Sequence, residues 1–185
     1  MTEAAEDPAP ELMGEDGWTA LPMPKRIGRG RSFVSGDIDG DRLRVRYFRR
    51  ESDGAMVGRV WFGPGAEGPP LHVHGGSMAA VLDEVMGGAA WMAGHTVVAA
   101  QITVKFRRMI PLLRVMTLEA WVTKIEGRRV ATAGRLMGDD GEVYTESEGL
   151  FIELAADQFA DLADRARKAW VTAQTVHPAS DEATG

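Results

Sequence analysis

The feature that most constrains this chain is one helix-length segment, residues 76–93, set among segments with strand patterns. At about 100° per residue its apolar side chains fall on one stripe. The stripe consists of Met78, Val81, Leu82, Val85, Ala89 and Met92. A helix with a single apolar stripe must cover it with another layer, and the surrounding segments predict that this layer is a sheet.

Strand patterns occur twice before the helix and four times after it. They cover residues 43–47 and 55–62, then 97–106, 115–125, 130–137 and 142–154. Turn-forming residues separate neighbouring segments, for example Ser52-Asp53-Gly54 and Glu126-Gly127. The order predicts an α+β fold in which one antiparallel sheet wraps around one long central helix. A doubly wound parallel fold is disfavoured, because it needs a helix after nearly every strand.

The two ends differ in composition from the middle. Residues 1–24 contain four prolines and many acids without apolar periodicity, which predicts a flexible lead-in. Residues 25–172 are predicted to form a single domain, with a surface helix over residues 155–170, and residues 173–185 a disordered tail.

Charge and cysteine content exclude several function classes. The chain has 185 residues, a net charge of −6 and no cysteine. A negative protein offers no general field for nucleic acid, and the absence of thiols removes disulfides, thiolate metal sites and a cysteine nucleophile. No apolar run is long enough for a membrane span, and the acidic N-terminus does not resemble a secretory signal. We therefore expect a cytoplasmic protein.

Asp83 is the ionisable residue in the most unusual place. On the helical projection it lies away from the apolar stripe, among Ala79, Met86, Gly87 and Ala90. Two interpretations are open at this point. If a second subunit covers this face, the carboxylate is partly desolvated, and its pKa is raised toward that of a useful base. If nothing covers it, Asp83 is an ordinary surface acid.

His74-Gly75-Gly76 begins the same helix. The first N–H groups of a helix lack internal acceptors, and glycine lets a ligand oxygen approach them, so the segment suits an oxyanion hole. It is equally compatible with a plain loop-to-helix junction capped by His74. A metal site at His72 and His74 is disfavoured, because the positions where a glutamate ligand would follow hold Met78 and Ala79. We expect neither a metal nor another cofactor.

Four motifs in residues 68–154 resemble one known family. They are Gly68-Pro69-Pro70, the run from His74 through Asp83 to Glu84, the run from Val104 to Pro111, and Lys124-Ile125-Glu126-Gly127-Arg128. Together and in this order they resemble the PaaI-like hotdog-fold acyl-CoA thioesterases, and most closely the thioesterase superfamily member 4 and 5 group.

The resemblance implies a hotdog domain that pairs into a homodimer or homotetramer, with each active site between subunits. It implies that the protein hydrolyses acyl-CoA, that Asp83 is the general base or nucleophile, that the Gly75 N–H polarises the thioester carbonyl, and that His74 shapes the pocket. Substrate or CoA contacts are implied for Gly76, Gln101, Lys105, Phe106, Arg107, Arg108, Gly127 and Arg128.

Two positions depart from the family pattern. Many relatives have an amide side chain where this chain has Gly68, and some have a water-holding threonine where it has Ala99. Strand alternation predicts that Gln101 shares a face with Ala99, so its amide is a candidate replacement. The departures leave open a non-catalytic hotdog module that binds an acyl-CoA or another acyl ligand. A hotdog hydratase is disfavoured, because no second loop-helix Asp–His pair is present.

Overall fold

The computed structural model describes residues 9–22, 26–27, 30–36, 40–155, 157–158 and 160. Its strands are β1 (Trp18–Ala20), β2 (Arg26–Ile27), β3 (Gly30–Arg31), β4 (Leu43–Arg50), β5 (Met56–Phe62), β6 (Val97–Phe106), β7 (Val115–Glu126), β8 (Arg129–Met137) and β9 (Val143–Glu153). A short 3-10 helix, Pro64–Ala66, and the long helix α1, Gly75–Met92, lie between β5 and β6. The predicted tail, and all but a few residues of the predicted surface helix, lie outside the described residues.

Seven strands form one antiparallel sheet in the order β1-β4-β5-β7-β8-β9-β6, and β2 pairs with β3 in a separate small hairpin. The two ends of the large sheet are therefore β1 and β6. Helix α1 packs inside the curve of this sheet and contacts β5, β6, β7, β8 and β9. The α+β hotdog prediction is confirmed, and the sequence analysis did not predict strands β1, β2 and β3.

The sheet covers more of α1 than the predicted stripe. Met86 and Ala90, which we placed on the face available to a second subunit, are fully buried within this subunit. Gly134 and Gly149 explain the difference, because a Cβ at either position would lie only 3.1–3.2 Å from the Met86 side chain. Glycines in β8 and β9 thus let Met86 enter the sheet side of the core.

The described part of the predicted lead-in is attached to the outer face of the sheet. β1 pairs with the end of β4, and Trp18 packs on Phe48 with their ring centroids 5.6 Å apart. Leu12 is buried, and Glu15 forms an ion pair with Arg59 at 2.6 Å. A three-residue strand has too little pattern to be found in a sequence, and here the exposed edge of β4 provides its partner.

A bulge in β6 changes the face on which its residues lie. Ala99 pairs with Phe151 and Gln101 with Leu150, so Ala100 is an extra residue in β6. Ala99 therefore lies on the helix side of the sheet with the buried Phe151, and Gln101 lies on the outer side. The predicted common face for Ala99 and Gln101 is wrong, because alternation holds only where pairing is regular. In the described part of the chain, no helix has the length and apolarity needed to cross a membrane.

Candidate active site

A cavity of about 300 Å³ lies on the side of α1 that the sheet leaves open. Its walls come from the helix, from the segment before β4, from the start of β6 and from β9. The lining residues are Ser32, Ser35, Asp83, Glu84, Gly87, Gly88, Trp91, Val97, Ala99 and Phe151. The two helix glycines give the cavity depth, since neither projects a side chain into it.

Asp83 is one of two partly buried acids that line this cavity. In the described part of the chain no cation or hydrogen-bond donor pairs with its carboxylate. Burial raises the pKa of the Asp83 carboxyl above its ordinary value of 3.8. Of the two interpretations of Asp83, the surface acid is disfavoured. A carboxylate that is desolvated and unpaired is suited to accept a proton.

Glu84, the next residue, is held in place by hydrogen bonds. The buried Tyr47 hydroxyl donates to its Oε1 at 2.9 Å, and the Ser32 hydroxyl donates to its Oε2 at 3.0 Å. Burial and the neighbouring Glu84 charge raise the pKa of the Tyr47 hydroxyl well above its ordinary value. The hydrogen bonds from Tyr47 and Ser32 make Glu84 an anchor between α1, β4 and the segment that carries Ser32.

The serines were not found by sequence reasoning. Ser32 and Ser35 lie in a segment without helix or strand periodicity, 48 or more positions before Asp83 in the chain. Ser35 donates to Ser32 at 2.9 Å, and both line the cavity. Only tertiary packing brings them to Asp83, so no local sequence signal could have identified them.

The start of α1 forms the second part of the candidate site. His74 is the N-cap, and its Nδ1 accepts a hydrogen bond from the Gly76 N–H at 2.9 Å. Among the described residues, none accepts from the Gly75 N–H. The structure therefore separates the two glycines: the Gly76 N–H satisfies the cap, whereas the Gly75 N–H is free to donate to a ligand.

The loop before α1 is fixed by backbone hydrogen bonds. His74 N donates to Ala66 O at 2.8 Å, and Val73 N donates to Ile110 O at 2.9 Å. Leu71 adopts a φ of 64°, a conformation that costs energy for a residue with a branched side chain. The loop thus holds the N-terminus of α1 in a defined position.

Gly68 shows why the family's amide is absent. A Cβ at Gly68 would lie 2.7 Å from the His74 Cα and 3.0 Å from its Cβ. Since the closest of these atoms is backbone, the loop would have to move to accept any side chain. In this chain, position 68 contributes close packing against the N-cap instead of a polar group.

Asp83 and Gly75 lie far apart along α1. They are eight residues apart on α1, which corresponds to about 12 Å along the axis. A donor that stabilises an oxyanion must lie within about 3 Å of it, and the attacking oxygen starts about 3–3.5 Å from the reacting carbon. The spacing therefore favours a site in which Asp83 and Gly75 come from different subunits.

The two histidines before α1 are engaged with backbone groups. His72 Nδ1 lies 2.8 Å from Pro70 O, and His74 Nδ1 serves the cap. Within the described residues, no group of three or more His, Asp or Glu side chains is arranged to hold a metal ion.

The basic residues assigned to CoA lie in two groups. Lys105 and Arg107 share Glu146, and Arg108 pairs with Glu142 at 2.9 Å. At the opposite end of β9, Arg128 donates to the backbone oxygen of Glu153 at 3.0 Å. Arg128 follows Gly127, whose φ is +58°. Phe106 is half-exposed and lies against Gly75.

These groups are separated along β9. Glu146, the partner of Lys105, and Glu153, the partner of Arg128, are seven residues apart, or about 23 Å in a strand. The described structure therefore does not bring all the predicted CoA contacts together within one subunit. Gln101 is also remote from the Asp83 cavity, because it faces a shallow depression on the outer side of the sheet.

Comparison with known proteins gives the family. Residues 72–145 match the thioesterase superfamily model. Acyl-coenzyme A thioesterase THEM4 from Xenopus laevis is 35% identical over 136 residues, which cover 71% of this chain and 61% of that protein. The chain therefore spans less than two thirds of that relative's length.

Solved structures show the same fold. The thioesterase superfamily protein RHA08564 is 36% identical, with a TM-score of 0.57 over 60% of this chain and 54% of that one. A Bacillus halodurans protein, BH2602, solved with CoA, is 25% identical, with a TM-score of 0.53 over 60% of this chain and 74% of that one. The E. coli PaaI protein is 15% identical, with a TM-score of 0.56 over 60% of this chain and 80% of that one. The predicted resemblance is confirmed, and the chain contains a thioesterase superfamily domain with the hotdog fold.

Proposed function

We propose that the protein is an acyl-CoA thioesterase, which hydrolyses acyl-CoA to a free acid and coenzyme A. The observation that carries this proposal is Asp83, a partly buried carboxylate without a partner among the described residues, in a cavity lined mostly by apolar and small residues. An acid left unpaired in such a place costs stability, which is common at sites where it performs chemistry. The Xenopus laevis relative is named an acyl-coenzyme A thioesterase, which supports the same substrate class here.

In the proposed reaction Asp83 acts as general base or as nucleophile. As a base, it accepts a proton from water while the water oxygen attacks the thioester carbonyl carbon. The carbonyl oxygen becomes negative and accepts a hydrogen bond from the Gly75 N–H of a second subunit. The C–S bond then breaks, the thiol leaves with a proton, and the acyl group is released as the carboxylic acid.

The separation of about 12 Å along α1 supports a homodimer. β6 is the free edge of the large sheet, and a second copy that pairs with it in antiparallel fashion would place opposite ends of the two β6 strands side by side. The same pairing brings Arg128 of one copy toward Lys105 and Arg107 of the other. One pairing thus accounts for both separations, that of Asp83 from Gly75 and that of the two basic groups.

CoA is proposed to lie along these basic residues. The CoA-bound Bacillus halodurans relative supports a site for CoA in this fold. The side chains of Lys105, Arg107 and Arg108 are about half-exposed, so phosphates can reach them without breaking their ion pairs with glutamates. Contacts from Gly76 and Gln101 receive no such support, since the Gly76 N–H is used by His74 and Gln101 faces away from the Asp83 cavity.

The backbone donor can be tested by removing one N–H. Gly75→Pro deletes it, proline is tolerated at the first helical position, and His74 already has the extended ψ of 135° that precedes proline. Gly75→Ala is the matched control, because it adds the same Cβ near the Phe106 ring and keeps the N–H. We expect Gly75→Pro to lower kcat by about 10²–10³ and Gly75→Ala to lower it far less.

The shared site can be tested by mixing two inactive variants. In a heterodimer of Gly75→Pro and Asp83→Asn subunits, one site contains both defects and the other contains neither. Random mixing makes about half of the dimers heterodimers, so activity should return to about a quarter of wild type. If each site were built within one subunit, no mixture would be active, and the two-subunit site would be wrong.

The alternative function is a non-catalytic module that binds an acyl-CoA, which Ala99 favours because the family's threonine is missing. Hydrolysis of a panel of acyl-CoAs of different chain length distinguishes the two. Release of CoA that Asp83→Asn abolishes supports the enzyme. Saturable binding of acyl-CoA without any release of CoA would overturn the enzyme proposal in favour of the binding module.

A further inference from the structure

The cavity has a second polar wall that the family pattern does not supply. Ser32 and Ser35 face it from the segment before β4, whereas Ala99 faces it from β6. Val34, between the serines, is only 3% exposed and belongs to the hydrophobic core. The anchor at Val34 and the hydrogen bonds of the serines fix the segment against α1.

The number of available protons sets the direction of each hydrogen bond in this wall. A carboxylate only accepts, so Tyr47 and Ser32 both donate to Glu84. Ser32 has a single hydroxyl proton and has given it to Glu84. The contact between the serines, at 2.9 Å, must therefore use the proton of Ser35. Ser35 is left with an oxygen that can accept and no proton to give.

An acceptor of this kind is what an attacking water needs beside a base. Water has two protons, and a carboxylate base takes only one of them. If the other proton is held by a second acceptor, a lone pair of the water points away from both acceptors and toward the electrophile. A cavity of about 300 Å³ has room for such a water between its walls.

We propose that Ser35 holds the attacking water opposite Asp83, in the role that the family pattern gives to a threonine at position 99. The inference rests on the proposed thioesterase function and deepens it. The water donates one proton to Asp83 and the other to the Ser35 oxygen. As its oxygen bonds to the thioester carbon, Asp83 takes the first proton and passes it to the leaving sulfur when the C–S bond breaks, while the second proton stays with the new carboxylic acid.

The first experiment compares variants of Ser35 in the full chain. Ser35→Ala removes the acceptor and should lower kcat for the best acyl-CoA about tenfold or more, with KM within about twofold. Ser35→Thr keeps the oxygen and should stay near wild type. Ser35→Cys keeps nearly the size of serine, but its sulfur is a weak acceptor, so its kcat should fall as that of Ser35→Ala does. This second variant keeps the test valid if Ser35→Ala folds poorly. An unchanged kcat in both Ser35→Ala and Ser35→Cys would overturn the proposal.

The second experiment tests whether Ser35→Ala loses activity because the attacking water is no longer held. Ala99→Thr places a hydroxyl on the opposite wall of the cavity, so in the Ser35→Ala background it should restore much of kcat. In the wild-type background, where Ser35 already holds the water, the same change should raise kcat far less than it does in Ser35→Ala. A merely structural role of Ser35 would not be repaired from β6, and equal effects of Ala99→Thr in the two backgrounds would overturn the proposal.

Assays of the wild-type protein distinguish a failure of the Ser35 inference from a failure of the proposed thioesterase function. If wild type hydrolyses acyl-CoA and Ser35→Ala matches it in kcat, only the role of Ser35 is wrong. If wild type hydrolyses no acyl-CoA while it remains folded and binds one, the thioesterase proposal fails, and the role of Ser35 fails with it.

Discussion

Two acids, Glu119 and Asp83, lie on opposite sides of the sheet and differ in whether a cation pairs with them. Glu119 lies on the outer face, is 4% exposed, and is paired on both sides by Arg50 and Arg135. Arg135 reaches its Oε2 at 2.5–2.6 Å, and Arg50 is also bound to Asp53. Asp83 lies in the cavity on the other side, partly buried, and the described structure gives it no partner.

The contrast separates a structural acid from a candidate reactive one. A buried carboxylate with two arginines has its desolvation offset by ion pairs. A partly buried carboxylate without a cation is destabilised in its charged form, so it takes up a proton more readily. Burial alone does not mark a candidate catalytic acid; Asp83 differs from Glu119 because it is buried without a partner among the described residues.

The largest effect is expected from Asp83→Asn. The variant keeps the shape of the side chain and removes its ability to accept a proton or to attack. We expect kcat for the best acyl-CoA to fall by about 10²–10⁴ while the dimer persists. Steady-state kinetics and light scattering measure the two outcomes, and near wild-type turnover would break the assignment of Asp83.

Asp83→Asn should also change how the stability of the protein depends on pH. The pKa of Asp83 is raised in the folded state, so the folded protein binds this proton more tightly than the unfolded chain. The contribution of Asp83 to stability is therefore fully present below its ordinary pKa of 3.8 and is lost as pH rises through the raised value. Asp83→Asn should relieve this loss, so its melting temperature at pH 7 should equal or exceed that of wild type. A clearly lower melting temperature would mean that Asp83 has a stabilising partner.

The next effect is expected from Glu119→Gln, and it concerns stability. An amide oxygen can accept from one arginine, but the amide NH2 then faces the donors of the other. We expect the free energy of unfolding to fall by about 1–3 kcal/mol with kcat unchanged, measured by denaturant unfolding. Glu148→Gln is the control on the same face, since Glu148 is 76% exposed and its change should stay within about 0.5 kcal/mol. A loss of activity at unchanged stability would reverse the comparison with Asp83.

Much of the fold could be predicted because it depends on local periodicity. The stripe on α1 and the six long strands are patterns within single segments, and each agrees with its neighbours. Asp83 and Gly75 could be identified in the same way, since one helix carries both. The spacing along that helix also favours a site that two subunits share.

The rest depends on partners that are distant in the chain. The bulge at Ala100 exists only in the pairing of β6 with β9, so alternation within β6 alone gave Gln101 the wrong face. Burial of Met86 depends on glycines in two other strands. Ser35 reaches the cavity through contacts that begin at Tyr47 and Glu84. None of these features can be recognised from the sequence of its own segment.

A smaller effect is expected at the hairpin between β7 and β8. Arg128 donates to a backbone oxygen, and its charge has no acid partner among the ion pairs of the described residues. Arg128→Ala should raise KM for an acyl-CoA about three- to tenfold with kcat little changed. Lys124→Ala is the control, since Lys124 lies at the same hairpin but is paired with Glu126 at 2.7 Å.

A substrate that lacks the nucleotide sharpens this test. The KM of an acyl-pantetheine thioester should not respond to Arg128→Ala, because the phosphates that the arginine would contact are absent. The difference between variant and wild type on acyl-CoA should also shrink as salt screens the contact. Equal responses of the two substrates would mean that Arg128 is only a surface charge.

The smallest effect is expected from Gln101→Ala, on the outer face. The sequence alone predicts that this amide substitutes for the missing threonine, because regular alternation would place it beside Ala99. The bulge removes that possibility, since Gln101 pairs with Leu150 and lines a depression with Thr103 and Thr123, away from Asp83. We therefore expect kcat and KM to stay within about twofold of wild type, a range that surface substitutions rarely exceed. A tenfold loss of kcat would mean that the outer face contributes to the site after all, and that β6 pairs without the bulge when a second subunit is bound along its edge.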